Sequence, residues 1–182
     1  QAQTGSPLGS ITGITILGNY IGTEKTGTSR INATAVDDVI FDSELSILGI
    51  SNITVGGVGA NERNIFGGNV QFLGVDTVTM KNNYVGVGQN GTDVIINGTP
   101  NESGVNFLNT KDFTMGGSTP IEGNIVAHKT RQGIGLAGGS TGIISNNIIK
   151  NNGIGISAIE LHGGLPAHLL GTPQFVITNN SI

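Results

Sequence analysis

The amino-acid sequence predicts an all-β fold, a right-handed parallel β-helix in which short strands wind into a solenoid. Three observations predict it: a glycine-rich composition with many isoleucines and valines, an asparagine-centred motif that recurs along the chain, and short runs of alternating apolar residues. We expect one domain over residues 1–182, with a lead-in segment at residues 1–10 and a loop insertion at residues 157–173.

The composition excludes several classes of protein. Of the 182 residues, 31 are glycine and 36% are apolar, but only 11% are charged, against about 25% in an average globular chain. β-Branched runs broken by Gly and Asn are typical of strands joined by tight turns. A net charge of −4 without a basic cluster argues against nucleic-acid binding. No apolar run is long enough to cross a bilayer, and a chain without cysteine has no thiolate or disulfide chemistry.

Internal repetition is the strongest signal. GNYIGTEKTGT at residues 18–28 returns 64 positions later as NNYVGVGQNGT at residues 82–92. A second motif, TVGGVGANERNIF at residues 54–66, returns as TMGGSTPIEGNIV at residues 114–126. Each motif places one asparagine before an apolar residue. With two further copies, these asparagines form one series: Asn19, Asn64, Asn83, Asn124, Asn147 and Asn180.

The spacing of this series predicts the coil. Successive members are 45, 19, 41, 23 and 33 positions apart. If the two longest gaps each span two coils, a single coil has about 19 to 23 residues, which is typical of a solenoid with short strands. About eight coils are then expected. The asparagines are predicted to line one interior corner as a structural ladder that satisfies buried polar groups, with glycine supplying the positive φ of the bend.

Alternating apolar pairs predict the inward faces of the strands, because successive side chains of a strand point to opposite sides. The pairs are Val39 and Phe41, Val70 and Phe72, Val105 and Phe107, Ile134 and Leu136, and Ile154 and Ile156.

The stretch VGGVGANERNIFGGN at residues 55–69, together with residues 18–28, resembles the right-handed parallel β-helix repeats of large secreted bacterial surface proteins, which share a fold with pectate lyases. The resemblance covers nearly the whole chain and implies an extracellular or cell-surface location in a bacterium. The expected function is a non-catalytic structural or adhesive module, serving as a rigid stalk or contact surface. A lyase or glycoside hydrolase acting on acidic polysaccharides, and a filament subunit that stacks end to end, are the alternatives.

The acidic run DDVIFDSE at residues 37–44 is the main candidate site. If Val39 and Phe41 face inward, the outer face carries the side chains of Asp38, Asp42 and Glu44. Three carboxylates could bind Ca²⁺, the one cofactor that the sequence suggests, or act as acid and base in a glycosidase. The simplest interpretation is a solvated face that discourages strand addition by neighbouring molecules.

Relatives of known enzymes imply further catalytic groups. Pectate-lyase relatives imply a basic residue beside calcium-binding carboxylates, and the arginines here are Arg30, Arg63 and Arg131. Arg30 is nearest in sequence to the acidic run, whereas Arg63 lies inside a repeat motif and is expected to stabilise a corner. Polygalacturonase relatives imply several motifs, of which only the Asp37-Asp38 pair is present. No complete set of acid, base and arginine is visible, which favours the non-catalytic function.

Two tyrosines are candidate ligand-binding residues. Tyr20 and Tyr84 occupy equivalent repeat positions, about 14 Å apart if three coils separate them, and two aromatic rings in register could stack on a surface glycan. Packing against the adjacent Gly-Thr turn is the preferred alternative. His162 and His168 in the 157–173 segment match no strong metal-ligand spacing.

A solenoid needs a cap at each end. The sequence shows no amphipathic helix at either terminus that could serve as a cap. The expected partners are further coils of the same polypeptide or other copies stacked end to end.

Overall fold

The computed structural model describes residues 9–31, 37–43, 49–95, 102–159 and 171–182. These residues form short β-strands and a single 3₁₀ turn, Pro120–Glu122. All pairings between the strands are parallel and join segments far apart in sequence, so the prediction of an all-β parallel solenoid is confirmed. None of the described residues forms a helix with the length and hydropathy needed to span a membrane.

The strands lie in three sheets. The first sheet contains β1 (Ser10–Thr12) and β2 (Thr15–Ile16), then β5 (Gly49–Val55), β8 (Asp76–Met80), β11 (Phe113–Gly116), β14 (Thr141–Ser145) and β17 (Gln174–Thr178). The second sheet contains β3 (Tyr20–Ile21), β6 (Ile65–Phe66), β9 (Tyr84–Val85), β12 (Ile125–Ala127) and β15 (Ile148–Lys150). The third sheet contains β4 (Asp37–Asp42), β7 (Asn69–Leu73), β10 (Val105–Leu108), β13 (Gln132–Ala137) and β16 (Ile154–Ile159).

The chain visits the three sheets in turn, so one circuit makes one level of the solenoid. The described residues give six levels in the first sheet, because β1 and β2 both pair with β5. The expected coil count of about eight is therefore wrong for this part of the chain. In the second sheet Tyr20 pairs with Ile65, and Ile65 pairs with Tyr84, so the long interval between Asn19 and Asn64 is a single coil.

The error came from assuming coils of uniform length. Extra residues leave the wall after β3 and β9, where the chain folds back on itself through antiparallel bridges between Thr23 and Arg30 and between Val87 and Val94. Each long coil is followed by a short one, from Asn64 to Asn83 in the first case and from Asn124 to Asn147 in the second. The 64-residue repeat in the sequence is thus a pair of levels.

Aromatic rings form the centre of the core. Phe41, Phe72 and Phe107 lie in register on neighbouring strands of the third sheet, and their rings stack with centroids 5.2 and 5.1 Å apart. Phe113 of the first sheet stacks on Phe107 at 4.1 Å. Offset stacking of this kind adds to the stabilisation from burial, and it joins two walls of the solenoid.

The predicted inward pairs agree with this register except at the last one. Ile156, not Ile154, lies beside Ile134, and Ile154 is 54% exposed. Ile156 and Ala158 continue the inward column opposite Ile134 and Leu136, whereas Ile154 pairs with Gln132 at the start of the strand.

Two predicted segment boundaries also change. Ser10 already belongs to β1, and Ser157–Ile159 belong to β16 rather than to a loop. Residues 1–8 and 160–170, including His162 and His168, lie outside the described residues.

Candidate functional site

The corner between the first and second sheets carries a row of hydrogen-bonded asparagines. At its centre, Asn83 Oδ1 accepts the Asn64 Nδ2 hydrogen bond at 2.9 Å, and Asn83 Nδ2 donates to Asn124 Oδ1 at 3.0 Å. The same contacts continue from Asn124 to Asn147 at 2.9 Å. At the two ends of the row, Asn19 donates to Asn64 and Asn147 donates to Asn180, each at 3.1 Å.

Each interior asparagine also satisfies the backbone. Asn83 Nδ2 donates to the carbonyls of Val55 and Lys81, both at 2.9 Å, and the Asn83 N–H donates to Asn124 Oδ1 at 2.9 Å. Asn64, Asn83 and Asn124 are fully buried. An unpaired buried amide destabilises a fold strongly. The asparagine side chains therefore provide the hydrogen bonds that backbone groups at this buried corner cannot make with water.

A second set of asparagines forms the bend itself, and the sequence reasoning missed it. Asn82, Asn146 and Asn179 precede members of the row and have φ of 54°, 57° and 55°, whereas Gly18 has 69° at the equivalent position. Asparagine is one of the few side-chain-bearing residues that adopt this left-handed conformation readily. The Asn-Asn pairs at residues 82–83, 146–147 and 179–180 were the available signal.

Arg63 connects this corner to the outer surface. Its Nη2 donates to Asn82 Oδ1 at 2.6 Å and its Nε to the same oxygen at 3.0 Å, and its guanidinium lies 4.1 Å from the centre of the Tyr84 ring. These contacts agree with the corner-stabilising role expected for Arg63. They leave a surface pocket of about 330 Å³ beside Tyr84, which is lined by Ile121 and Ile148.

Tyr20 and Tyr84 pack against the adjacent Gly-Thr turns, which was the preferred interpretation. A Cβ at Gly27 would overlap the Tyr20 ring, and one at Gly91 would lie 3.2 Å from the Tyr84 hydroxyl, so both rings abut the turn glycines. Only Ile65 lies between Tyr20 and Tyr84 in the sheet, which makes the expected separation of three coils wrong. Since Arg63 covers one face of the Tyr84 ring, sugar stacking by Tyr20 and Tyr84 stays a prediction without further support.

The structure corrects the orientation expected for Asp38. The pairing of β4 with β7 shifts between Asp37 and Val39, which makes Asp38 the extra residue of a β-bulge. Its side chain is buried, with only 4% exposed, and Oδ1 lies 3.3 Å from Arg30 Nη2. Strict alternation had placed Asp38 on the outer face beside Asp42.

Asp38 belongs to a buried cluster of four charges at the corner between the second and third sheets. Lys129 Nζ donates to Glu102 Oε1 at 2.6 Å, and both side chains have 0% exposure. Lys129 Nζ also donates to the Gly67 carbonyl at 3.2 Å, while the Gly68 N–H donates to Asp38 Oδ2 at 2.6 Å. The two cations and two anions balance, as burial of charge requires.

Burial shifts the pKa of two groups in this cluster, Asp38 and Lys129. It raises the pKa of Asp38, against the opposing effects of the Gly68 N–H and the charges of Arg30 and Lys129. It lowers the pKa of Lys129, against the opposing charge of Glu102. Both shifts have the same physical cause, because burial penalises whichever form is charged.

The two repeated turns cover this corner. The Gln89 N–H donates to the Gly27 carbonyl at 3.1 Å, which joins the turn of the first level to that of the third. The short second level has only Gly67 and Gly68 here, and a Cβ at Gly67 would lie 2.7 Å from the Gly22 carbonyl. The duplicated sequence thus builds two turns, in the first and third levels, that stack on each other because the second level has only two glycines between them.

The candidate metal ligands are only partly described. Asp38 is paired with Arg30, Asp42 is half-buried at the end of β4, and Glu44 lies outside the described residues. In the part of the chain that is described, no group of three His, Asp or Glu residues is placed to hold a metal ion. A calcium site at Asp38, Asp42 and Glu44 stays a prediction.

The acid and base groups of the buried cluster lie under the surface. Glu102 and Lys129 are in contact but inaccessible to a polymer, and the Arg30 and Asp38 side chains are at most 5% exposed. The arrangement is suited to holding levels together. A comparison of the chain with family models, curated proteins and solved structures finds no match.

Proposed function

We propose that this chain is a non-catalytic structural module of an extracellular bacterial surface protein, serving as a rigid stalk or contact surface. The observation that carries the proposal is the unbroken hydrogen bonding along the solenoid axis. Each of the three sheets runs through five or six levels, and the asparagine row runs beside them from Asn19 to Asn180. A load along the axis is then shared by many parallel backbone bonds.

The finer architecture forms part of this proposal. The asparagine row acts as the structural ladder that sets the register of the coils, since its members bond only when the levels are aligned. The winding is right-handed, as the connections between parallel strands nearly always are.

Further coils, from the same polypeptide or from another copy, are the proposed partners. Ile144 is fully buried, whereas Ile177, its in-register neighbour in the last level, is 40% exposed. In the third sheet, the fully buried Ile134 likewise has a partly exposed in-register neighbour, Ile156, in the last strand. An apolar surface of this kind is stabilised when another level covers it.

Force spectroscopy tests the structural role. The chain is placed between two identical handle domains and pulled from its ends. We expect rupture in one or two large cooperative steps, because each level is bonded to its neighbours. Gradual unravelling at low force, level by level, would contradict the proposal.

The rival function, cleavage of acidic polysaccharides, has a direct assay. The purified protein is incubated with a panel of uronic-acid polymers, with and without Ca²⁺, and ultraviolet absorbance and reducing ends are followed. We expect no product. Formation of unsaturated or newly reducing ends, lost on replacing the acidic residues of β4, would establish the enzyme instead.

Calcium binding is tested separately by thermal unfolding. If the acidic strand binds Ca²⁺, the melting temperature rises with added Ca²⁺ and the rise disappears in a D42N/E44Q variant. D38N is the informative comparison, because Asp38 is already paired with Arg30 and its loss should alter stability with or without the ion. An unchanged melting temperature in the unmodified protein removes calcium from the proposal.

A further inference from the structure

A lysine and a glutamate that water cannot reach lie in direct contact between two levels. Lys129 Nζ is 2.6 Å from Glu102 Oε1, and neither side chain is exposed. Glu102 lies between β9 and β10 in the third level, whereas Lys129 follows β12 in the fourth. The contact therefore bridges two coils at the covered corner of the solenoid.

Burial makes this pair chemically unusual. The contact can exist as ammonium and carboxylate, or, after one proton transfer, as a neutral amine beside a carboxylic acid. A low-dielectric site disfavours the charged pair, and burial lowers the pKa of Lys129 accordingly. A neutral amine is a nucleophile, and holding it against a carboxyl carbon can equal an effective concentration of ~10⁵ M or more.

We propose that Lys129 Nζ and Glu102 Cδ form an intramolecular amide bond that links the third and fourth levels covalently. The ammonium passes one proton to the carboxylate, and the amine adds to Cδ. The C–O bond then breaks, and the oxygen leaves as water with the two protons that the nitrogen has lost. No oxidant or cofactor takes part. The product replaces two buried charges with a neutral amide, which removes the penalty for burying them.

Asp38 supplies a second carboxylate at this corner. Its Oδ2 accepts from the Gly68 N–H, while Lys129 Nζ donates to the adjacent Gly67 carbonyl. Asp38 is therefore a positioning residue that fixes the Gly67–Gly68 segment to which Lys129 Nζ is bonded.

The chain contains a matched control for this chemistry. Lys81 Nζ lies 2.7 Å from Glu122 Oε1, almost the same distance, but these side chains are 31% and 17% exposed. Water stabilises both charges there and competes for the carboxyl group. We expect Lys81 and Glu122 to stay unlinked.

Mass spectrometry of the folded full chain tests the proposal. The unfolded intact mass should be lower than the sequence mass by one water molecule. A protease digest should give a branched peptide containing residues 102 and 129, and none containing residues 81 and 122. Fragmentation of that peptide must locate the bond, because cyclisation of Gln1 or dehydration at Asp residues also lowers the mass.

Three variants sharpen the result. Lys129→Met should restore the mass lost at this site. Glu102→Gln should still form the amide but release ammonia instead of water, and Asp38→Ala, which removes the acceptor of the Gly68 N–H, should slow the linkage after refolding. Separate, unlinked peptides for residues 102 and 129, recovered from protein that shows a β-sheet circular dichroism spectrum after long incubation, would overturn the proposal.

Discussion

At the scale of single residues, asparagine has two roles at neighbouring positions of the same corner. Asn83 lies inside the solenoid and bonds the levels on both sides of it. Asn82, one position earlier, supplies a positive φ and accepts the Arg63 guanidinium. A small amide side chain suits both roles, because it carries donors and an acceptor and tolerates the left-handed conformation.

Replacing Asn83 tests the buried role. Asn83→Leu keeps a similar volume but removes the acceptor of the Asn64 backbone and side-chain N–H groups and the donor to the Lys81 carbonyl. We expect a loss of about 2–4 kcal/mol in the free energy of unfolding, since each buried unsatisfied group costs about 1–3 kcal/mol. Urea denaturation measures it. Asn19→Leu, at the exposed end of the row, is the control and should cost about 1 kcal/mol or less; equal losses would contradict this account.

Gly123 is a position where the structure demands the absence of a side chain. A Cβ there would overlap the Asn146 carbonyl oxygen, although the equivalent position of the other repeat holds Arg63. Gly123→Ala should therefore destabilise the protein by about 2 kcal/mol or more through backbone displacement. Gly139→Ala is the matched control, because its Cβ would meet only Asn109 Oδ1 at 3.8 Å. We expect it to change the unfolding free energy by less than about 0.5 kcal/mol.

At the scale of structural elements, exposed turns are organised by single carboxylates. Glu24 accepts hydrogen bonds from the N–H groups of Thr26 and Thr28, both at 2.7 Å. Glu122 ends the 3₁₀ turn, accepts from the Thr119 N–H at 3.0 Å and pairs with Lys81. Hydrogen bonds from Thr26 and Thr28 lower the pKa of Glu24 to about 2, and those from Lys81, Thr119 and Ser118 lower that of Glu122 to about 2.

These turns predict a loss of stability in acid. A carboxylate whose pKa is lower in the folded state, about 2 against 4.5, stabilises the fold above the unfolded value. That contribution is lost as the pH falls from about 4.5 towards about 2. We expect the urea midpoint of the wild type to fall across this window, and that of E24Q/E122Q to fall less. Lys81→Met, which removes the partner and keeps the carboxylate, should shrink the Glu122 contribution alone; identical profiles for all three proteins would contradict the assignment.

At the scale of the whole molecule, the solenoid should be most stable in its middle levels. The strands β7, β9 and β10 have a paired neighbour on both sides, whereas β1 and β17 pair on one side only. Local opening is easiest where fewer bonds must break. Hydrogen exchange should therefore be slowest in β7, β9 and β10 and fastest in β1 and β17. Uniform protection along the chain would contradict this expectation.

The sequence was sufficient for the fold and insufficient for its interior chemistry. Parallel strands and inward pairs such as Val70 and Phe72 follow from periodicity, which is a local property. The number of coils could not be predicted in this way, because it depends on which residues lie in turns outside the sheets, and periodicity does not distinguish those residues. Asp38 is buried because of a bulge, and Glu102 meets Lys129 only through the stacking of neighbouring coils. Contacts between segments 27 residues apart have no signature in a single sequence.

The alternation of long and short coils has a consequence for engineering. From Asn19 to Asn64 the chain advances 45 positions to climb one level, and from Asn64 to Asn83 it advances 19, yet the same side-chain amides meet at the corner. Contour length is thus decoupled from axial rise. Foreign peptides spliced into the exposed turns of the longer circuits, between Gln89 and Asn90 for example, would be displayed at a fixed height without disturbing the levels above and below.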